Sequence, residues 1–247
     1  MPDMHLPGGP AGSSPAYLAE PVVTSDRPGP WPGVVVVHDA IGMSDEFRLQ
    51  ADWLAAAGYL AVVPNLFTRA SRLRCVQAAI RQLRAGSGDV FDDVERARAW
   101  LAEREDCTGV TGVIGFCMGG GFALLLAPRP GWSAASVNYG PPPDDLDTAL
   151  AGSCPMVASY GGADRSLRGV ADRLERALTA AGVPHDVKEY PGVGHVFMNR
   201  EAVLSPLNVL MRVAGVGYRH PAAEDARRRI LAFFDTHLRQ SAGPPAS

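Results

Sequence analysis

Residues 112–126 read GVIGFCMGGGFALLL. Val110, Val113 and Ile114 make an apolar, β-branched run with the length of a buried strand. Gly119, Gly120 and Gly121 follow Cys117, and FALLL then opens a buried helix. A strand, a sharp turn and a helix, with a nucleophile-capable side chain at the apex, is the setting of a nucleophile elbow. The other reading of Cys117 is a small cysteine filling a tight turn, since free cysteines are among the most buried residues. The rest of the chain has to decide between them.

Upstream, GVVVVHDAIG (33–42) is an apolar strand that stops at a polar, glycine-bearing turn. SDEFRLQADWLAAAG (44–58) follows as an amphipathic helix, with Ser44 as its cap and Gly58 just past its end. YLAVVPNLF (59–67) is a second apolar strand. Residues 71–85 and 89–104 carry helical spacing, as in Val90, Val94, Ala97 and Leu101. Downstream of the elbow, SAASVNYG (133–140) and CPMVASYGG (154–162) are short apolar runs ending in glycine. Residues 166–181 read as a helix, PHDVKEYPG (184–192) as a more polar strand and 221–239 as a last amphipathic helix. Residues 1–33 are rich in Pro, Gly and Ser, with extended pieces at Met4–Leu6 and Ala16–Glu20, and the tail 241–247 reads as disordered. Strands alternating with helices predict a single α/β domain over residues 1–240, built on a mostly parallel central sheet with helices on both faces.

A chain of 247 residues, 47% hydrophobic and 20% charged, has enough apolar material for such a core. The formal net charge of −3 gives no reason to expect nucleic acid or anionic membranes as partners. No stretch reaches the 18 or so apolar residues of a membrane-spanning helix, and the N-terminus shows no basic segment leading into an apolar one, so no signal peptide is expected. Cys75, Cys107, Cys117 and Cys154 show neither paired metal-ligand spacing nor a disulfide framework. Free thiols in a reducing cytoplasm, with no metal, are the simplest expectation.

In open α/β sheets, chemistry collects at the carboxyl ends of the strands. Asp39, Cys117 and Asp164 fall at such ends, and His195 lies just past the 184–192 strand. A thiol attacks as its thiolate, which a helix N-terminus and a neighbouring imidazole both favour. Among six histidines, His195 in a glycine-flanked loop is the first choice for that imidazole and His38 the second. Asp164 can orient the imidazole or simply cap a turn. The order nucleophile, acid, base (117, 164, 195) is that of the α/β-hydrolases.

VVVVHDAIG, GYLAVVPNLF, GVIGFCMGGGFALLL, SYGGADRSL and YPGVGHVFMNR together resemble the dienelactone hydrolase family, from about residue 15 to 238. The resemblance implies an α/β-hydrolase fold with a Cys-His-Asp triad acting on small esters and lactones through an acyl-cysteine, without a cofactor. Carried over by position, Cys117 is the nucleophile, His195 the base and Asp164 the acid, with the backbone amides of Met118 and Ala40 as oxyanion hole. Asp39 stands where the family has a glutamate against the resting thiol, and either tunes Cys117 or caps the turn. An arginine that clamps substrate carboxylate in the family corresponds to Asn199, with Arg200 one step later, and the serine after the histidine is Val196. Arg69, Arg72 and Arg74 are candidates for the second clamp.

The expected partner is a small-molecule ester or lactone, with no nucleic acid, membrane or obligate protein partner and nothing that demands more than a monomer. A thioesterase or acyltransferase on the same triad, or a non-catalytic ligand-binding homologue, remains as an alternative. Residues 199–219 are either an apolar cover over the His195 loop or plain core packing.

Overall fold

The computed structural model describes residues 3–8, 12–24, 28–199 and 219–239. Eight strands form one sheet: β1 (Asp3–Pro7), β2 (Ser13–Ala19), β3 (Trp31–Val37), β4 (Leu60–Pro64), β5 (Cys107–Phe116), β6 (Ala134–Asn138), β7 (Met156–Gly161) and β8 (His185–Tyr190). Their order is β1-β2-β4-β3-β5-β6-β7-β8. β1, β2 and β4 pair antiparallel, and every pairing from β4 to β8 is parallel.

Every residue of β3, β4, β6 and β7 is buried. A strand can bury both of its faces only when both faces of the sheet are covered, which explains their near-continuous apolar sequences. The cover comes from α1 (Asp45–Ala56) against β2 and β4, α3 (Asp89–Ala102) against β3 and β5, α4 (Met118–Leu126) against β5 and β6, and α6 (Val170–Ala180) against β7 and β8. α2 (Arg72–Ala85) lies against α4, α5 (Leu146–Ala149) against α6, and α7 (His220–Phe234) against β7. β8 is one of the two edge strands, with β1 at the other side, and is correspondingly polar. Its Lys188, a charge that discourages edge-to-edge pairing, is bonded to Asp225 at 2.7 Å.

Three expected details differ. Ser44 sits at the start of α1, but its side chain makes no capping bond. The helix expected at 166–181 is broken: residues Arg165–Leu167 form a 3-10 turn, Gly169 takes a left-handed conformation, and α6 starts at Val170. The last helix ends at Phe234 and continues to Arg239 as a π-helical turn. The expectations for the tail 241–247 and for residues 200–218 lie outside the described residues.

Candidate active site

The elbow follows from the absence of side chains around it. A Cβ on Gly115 would lie 1.9 Å from the Gly119 carbonyl oxygen, and one on Gly119 would lie 2.2 Å from that of Val37. β5 can therefore turn directly into α4, with the helix start pressed on the end of β3. Cys117, at the apex, has φ 54° and ψ −121°, a backbone state that costs a non-glycine residue roughly 1–3 kcal/mol. Its amide donates to Asn138 O at 3.0 Å, and the amides of Gly120 and Gly121 donate back to its carbonyl at 2.9 and 3.3 Å. Those bonds hold the strained residue and point its side chain out of the sheet.

β7 ends in the turn that carries Asp164. One carboxylate oxygen, Oδ1, caps the 3-10 turn by accepting from the Ser166 amide at 3.0 Å and the Ser166 hydroxyl at 2.6 Å. The other, Oδ2, accepts from His195 Nδ1 at 2.6 Å. The capping and orienting readings of Asp164 thus describe two oxygens of one carboxylate. With Nδ1 committed as a donor, His195 Nε2 faces Cys117 Sγ at 3.1 Å. Burial works against an imidazolium here, but the Asp164 and Cys117 contacts outweigh it and raise the His195 pKa to about 9. Burial likewise opposes ionisation of Asp164, and the hydrogen bonds from His195 and Ser166 hold it below the ordinary carboxylate range.

Cys117 is the one cysteine of the four that is not buried. Burial pushes the Cys154 thiol up to about 12 and also raises Cys107. Those two and Cys75 are apolar filling.

The second-choice histidine, His38, has a different job. It is fully buried, with Nδ1 donating to the Asp39 carbonyl at 2.8 Å and Nε2 accepting from the Leu66 amide at 3.1 Å. Both ring nitrogens are used to join the ends of β3 and β4, and burial lowers the pKa to about 4.

Asp39 and Asn199 are each 4% exposed and do not line the cavity above Cys117. Asp39 Oδ1 caps the turn by accepting from the Ile41 amide at 2.8 Å, and Oδ2 accepts from Asn199 Nδ2 at 3.4 Å. Asn199 Oδ1 accepts from the Tyr139 hydroxyl at 2.7 Å. Tyr139, also in a positive-φ conformation (41°), packs its ring edge-on to His195 at 5.2 Å. Through Tyr139 the network packs against the imidazole. Tyr139 was not singled out in the sequence, since its strained backbone and its contact with the His195 loop leave no local signature.

Burial raises the Asp39 pKa to about 6. The folded protein thus holds this proton more tightly than the unfolded chain. Stability from this group is full below the unfolded value near 3.8 and is lost as pH rises through about 6. Asp39→Asn keeps an acceptor for Ile41 but turns an amide N–H toward Asn199 Nδ2, so its stability relative to the parent is expected to be about 2–3 kcal/mol better at pH 8 than at pH 4. Urea titrations at the two pH values check that difference.

Of the arginine candidates, Arg69 is paired with the buried Asp93 of α3. Arg72 and Arg74 are exposed at the start of α2, away from the cavity. Arg200 lies outside the described residues. The arginine that does border the cavity is Arg84, three turns further along α2, where the position of the helix rather than any local pattern brings it.

The cavity has a volume of about 500 Å³, within the usual range for small-molecule sites. Cys117, Met118, Ala40 and His195 border it at the thiol end. Ile80 and Leu83 of α2, the run Pro141, Pro142 and Pro143, and Leu167 line its sides. Among the described residues, no cluster of three His, Cys, Asp or Glu side chains is placed to hold a metal ion, and no helix is long and apolar enough to cross a membrane.

A mostly parallel sheet with an elbow at the end of its central strand defines an α/β-hydrolase. Residues 15–238 match the model of the dienelactone hydrolase family. A provisionally named carboxymethylenebutenolidase of Methylorubrum extorquens is 30% identical, over 90% of this chain and 77% of its own. The crystal structure of a provisionally named dienelactone hydrolase from Klebsiella pneumoniae superposes with a TM-score of 0.75 at 25% identity, covering 94% of this chain and 97% of that one. The dienelactone hydrolase-like promiscuous phosphotriesterase P91, from metagenomic libraries, shares the fold with a TM-score of 0.75 at 18% identity, covering 96% and 98%. The chain belongs to the dienelactone hydrolase family and is a hydrolase of that kind.

Proposed function

We propose that the protein cleaves small carboxylic esters or lactones with Cys117 as nucleophile, His195 as the proton carrier and Asp164 as the group that orients and stabilises the imidazole. The observation that carries this reading is the unbroken contact from Asp164 Oδ2 (2.6 Å) through both nitrogens of His195 to Cys117 Sγ (3.1 Å), opening onto a cavity. The Asp164 and Cys117 contacts raise the His195 pKa to about 9, which makes the imidazole a strong acceptor for the proton released in the attack.

Attack forms the S–C bond, and the thiol proton passes to His195 Nε2. The carbonyl electrons collect on oxygen, for which our assignment of donors is the Met118 and Ala40 amides; preorganised donors of this kind contribute on the order of 3 kcal/mol each. Collapse breaks the C–O bond, and the alcohol leaves with the proton from His195. Water then attacks the acyl-cysteine, giving its proton to the imidazole, and the acid departs as Cys117 regains its hydrogen. These side chains and water account for every proton and electron pair. Four free thiols suit a reducing cytoplasm.

The test is mass spectrometry of protein quenched in acid during turnover of p-nitrophenyl acetate. An acetyl group on the Cys117 peptide is expected, and none on that peptide in a Cys117→Ala variant. Acetylation confined to other residues would overturn the reading.

A further inference from the structure

The cavity above Cys117 is apolar along its sides and carries opposite charges at its mouth. Ile80, Leu83, Pro141 and Leu167 present hydrocarbon to whatever fills it. Among the described lining residues, the charged groups besides His195 are Arg84 and Asp144, both exposed. They are of opposite sign, so the described part of the rim, Arg84 and Asp144, carries no net charge to draw in an anion. The polar side chains beneath, Asp39 and Asn199, are spent on one another, on the Ile41 amide and on Tyr139. A carboxylate carried deep into this space would lose its water and find, among the described residues there, only the His195 imidazole, which is already paired with Asp164.

We propose that the cavity selects esters whose bound group is uncharged and apolar, with Ile80 and Leu83 of α2 as specificity-determining residues. This rests on the hydrolytic reading above and narrows its substrate class to neutral esters with an aliphatic or aromatic body. An apolar body fills the space between α2 and the proline run and removes hydrocarbon from water on both sides. A terminal carboxylate of the same length does neither. Discrimination between the two is set by the unpaired charge and not by size, which makes it large compared with the effect of one methylene.

Two matched pairs of compounds separate this inference from the reading beneath it. The first pair is p-nitrophenyl hexanoate and the p-nitrophenyl monoester of adipic acid, compared by kcat/KM. The second is N-hexyl iodoacetamide and 6-iodoacetamidohexanoate, compared by their rates of alkylating Cys117, with free cysteine as reference. The neutral member of each pair is expected to react about a hundredfold faster than its anionic partner. Ile80→Arg, a change on a half-exposed helix position, should cut that ratio by about tenfold or more in both assays.

Discrimination in alkylation without ester turnover would sink the hydrolytic reading while leaving the cavity apolar and selective. Turnover that depends on Cys117 but treats both esters alike, with equal alkylation rates, would overturn the selectivity alone. An Ile80→Arg protein that keeps the parental ratio would overturn the role given to α2.

Discussion

Replacing Cys117 by alanine is expected to lower ester hydrolysis by a factor on the order of 10³ or more. On the proposed mechanism the loss removes the atom that forms the new bond. What remains should be the modest acceleration that binding and oxyanion donors supply without a nucleophile. Asp164→Asn should fall about as far, by roughly 10³-fold or more, because the amide can present N–H to His195 Nδ1 and so favour the wrong tautomer. Cys75→Ala and Cys154→Ala should keep the parental turnover, since both thiols are buried. Steady-state kinetics on p-nitrophenyl acetate, with circular dichroism to show that each variant is folded, decides the matter. A Cys117→Ala protein with the parental rate would take the thiol out of the mechanism.

The second large effect is on folding. Gly119→Val should prevent recovery of folded protein, and Gly119→Ala should cost more than about 4 kcal/mol. Alanine is the better helix former by about 1 kcal/mol, so propensity alone predicts a gain in α4. The clash decides the sign: the added Cβ would meet the carbonyl oxygens of Val37 and His38 at 2.2 and 2.6 Å, and backbone atoms at the end of a buried strand have nowhere to move. Gly152→Ala is the control. Its Cβ would meet nothing within 4 Å, but its φ is 73°, so the left-handed backbone alone should cost about 1 kcal/mol. Urea midpoints for the two alanine variants, on soluble protein, measure the contrast. A Gly119→Ala protein as stable as the parent would mean that α4 can slide away from β3, which the tight elbow does not allow.

The elbow was legible because its causes are local. A β-branched run, a small-residue cluster and an apolar helix start leave few alternatives for residues 112–126. The strand–helix alternation was equally plain, since fully buried parallel strands must be apolar along their length. Asp164 and His195 were readable as ends of strands in an order, although each in isolation looks like an ordinary loop residue. Distances then separate His195, the first choice, from His38, the second. His38 also sits at a strand end, yet its two nitrogens are taken by backbone groups of β3 and the segment after β4. Position along a strand does not reveal which face a side chain serves.

The cavity was the part least visible in sequence. Arg72 and Arg84 lie on the same helix, and only the packing of α2 against α4 decides that the later arginine borders the cavity and the earlier one does not. Asp39 read equally well as a group that tunes the thiol or caps the turn, and Asn199 as the counterpart of a substrate clamp; in the structure the Ile41 amide donates to the first and the Tyr139 hydroxyl to the second. From sequence alone came the sheet, the elbow and the nucleophile-capable residue, all products of short-range sterics and hydrophobic patterning. Tertiary structure added the distances that bring His195, the sequence's first choice, to the sulfur and Asp164 to its ring, and it alone decided which side chains wall the cavity. Those contacts join residues 31 to 160 positions apart, and no local rule constrains them until the sheet has brought its strand ends together.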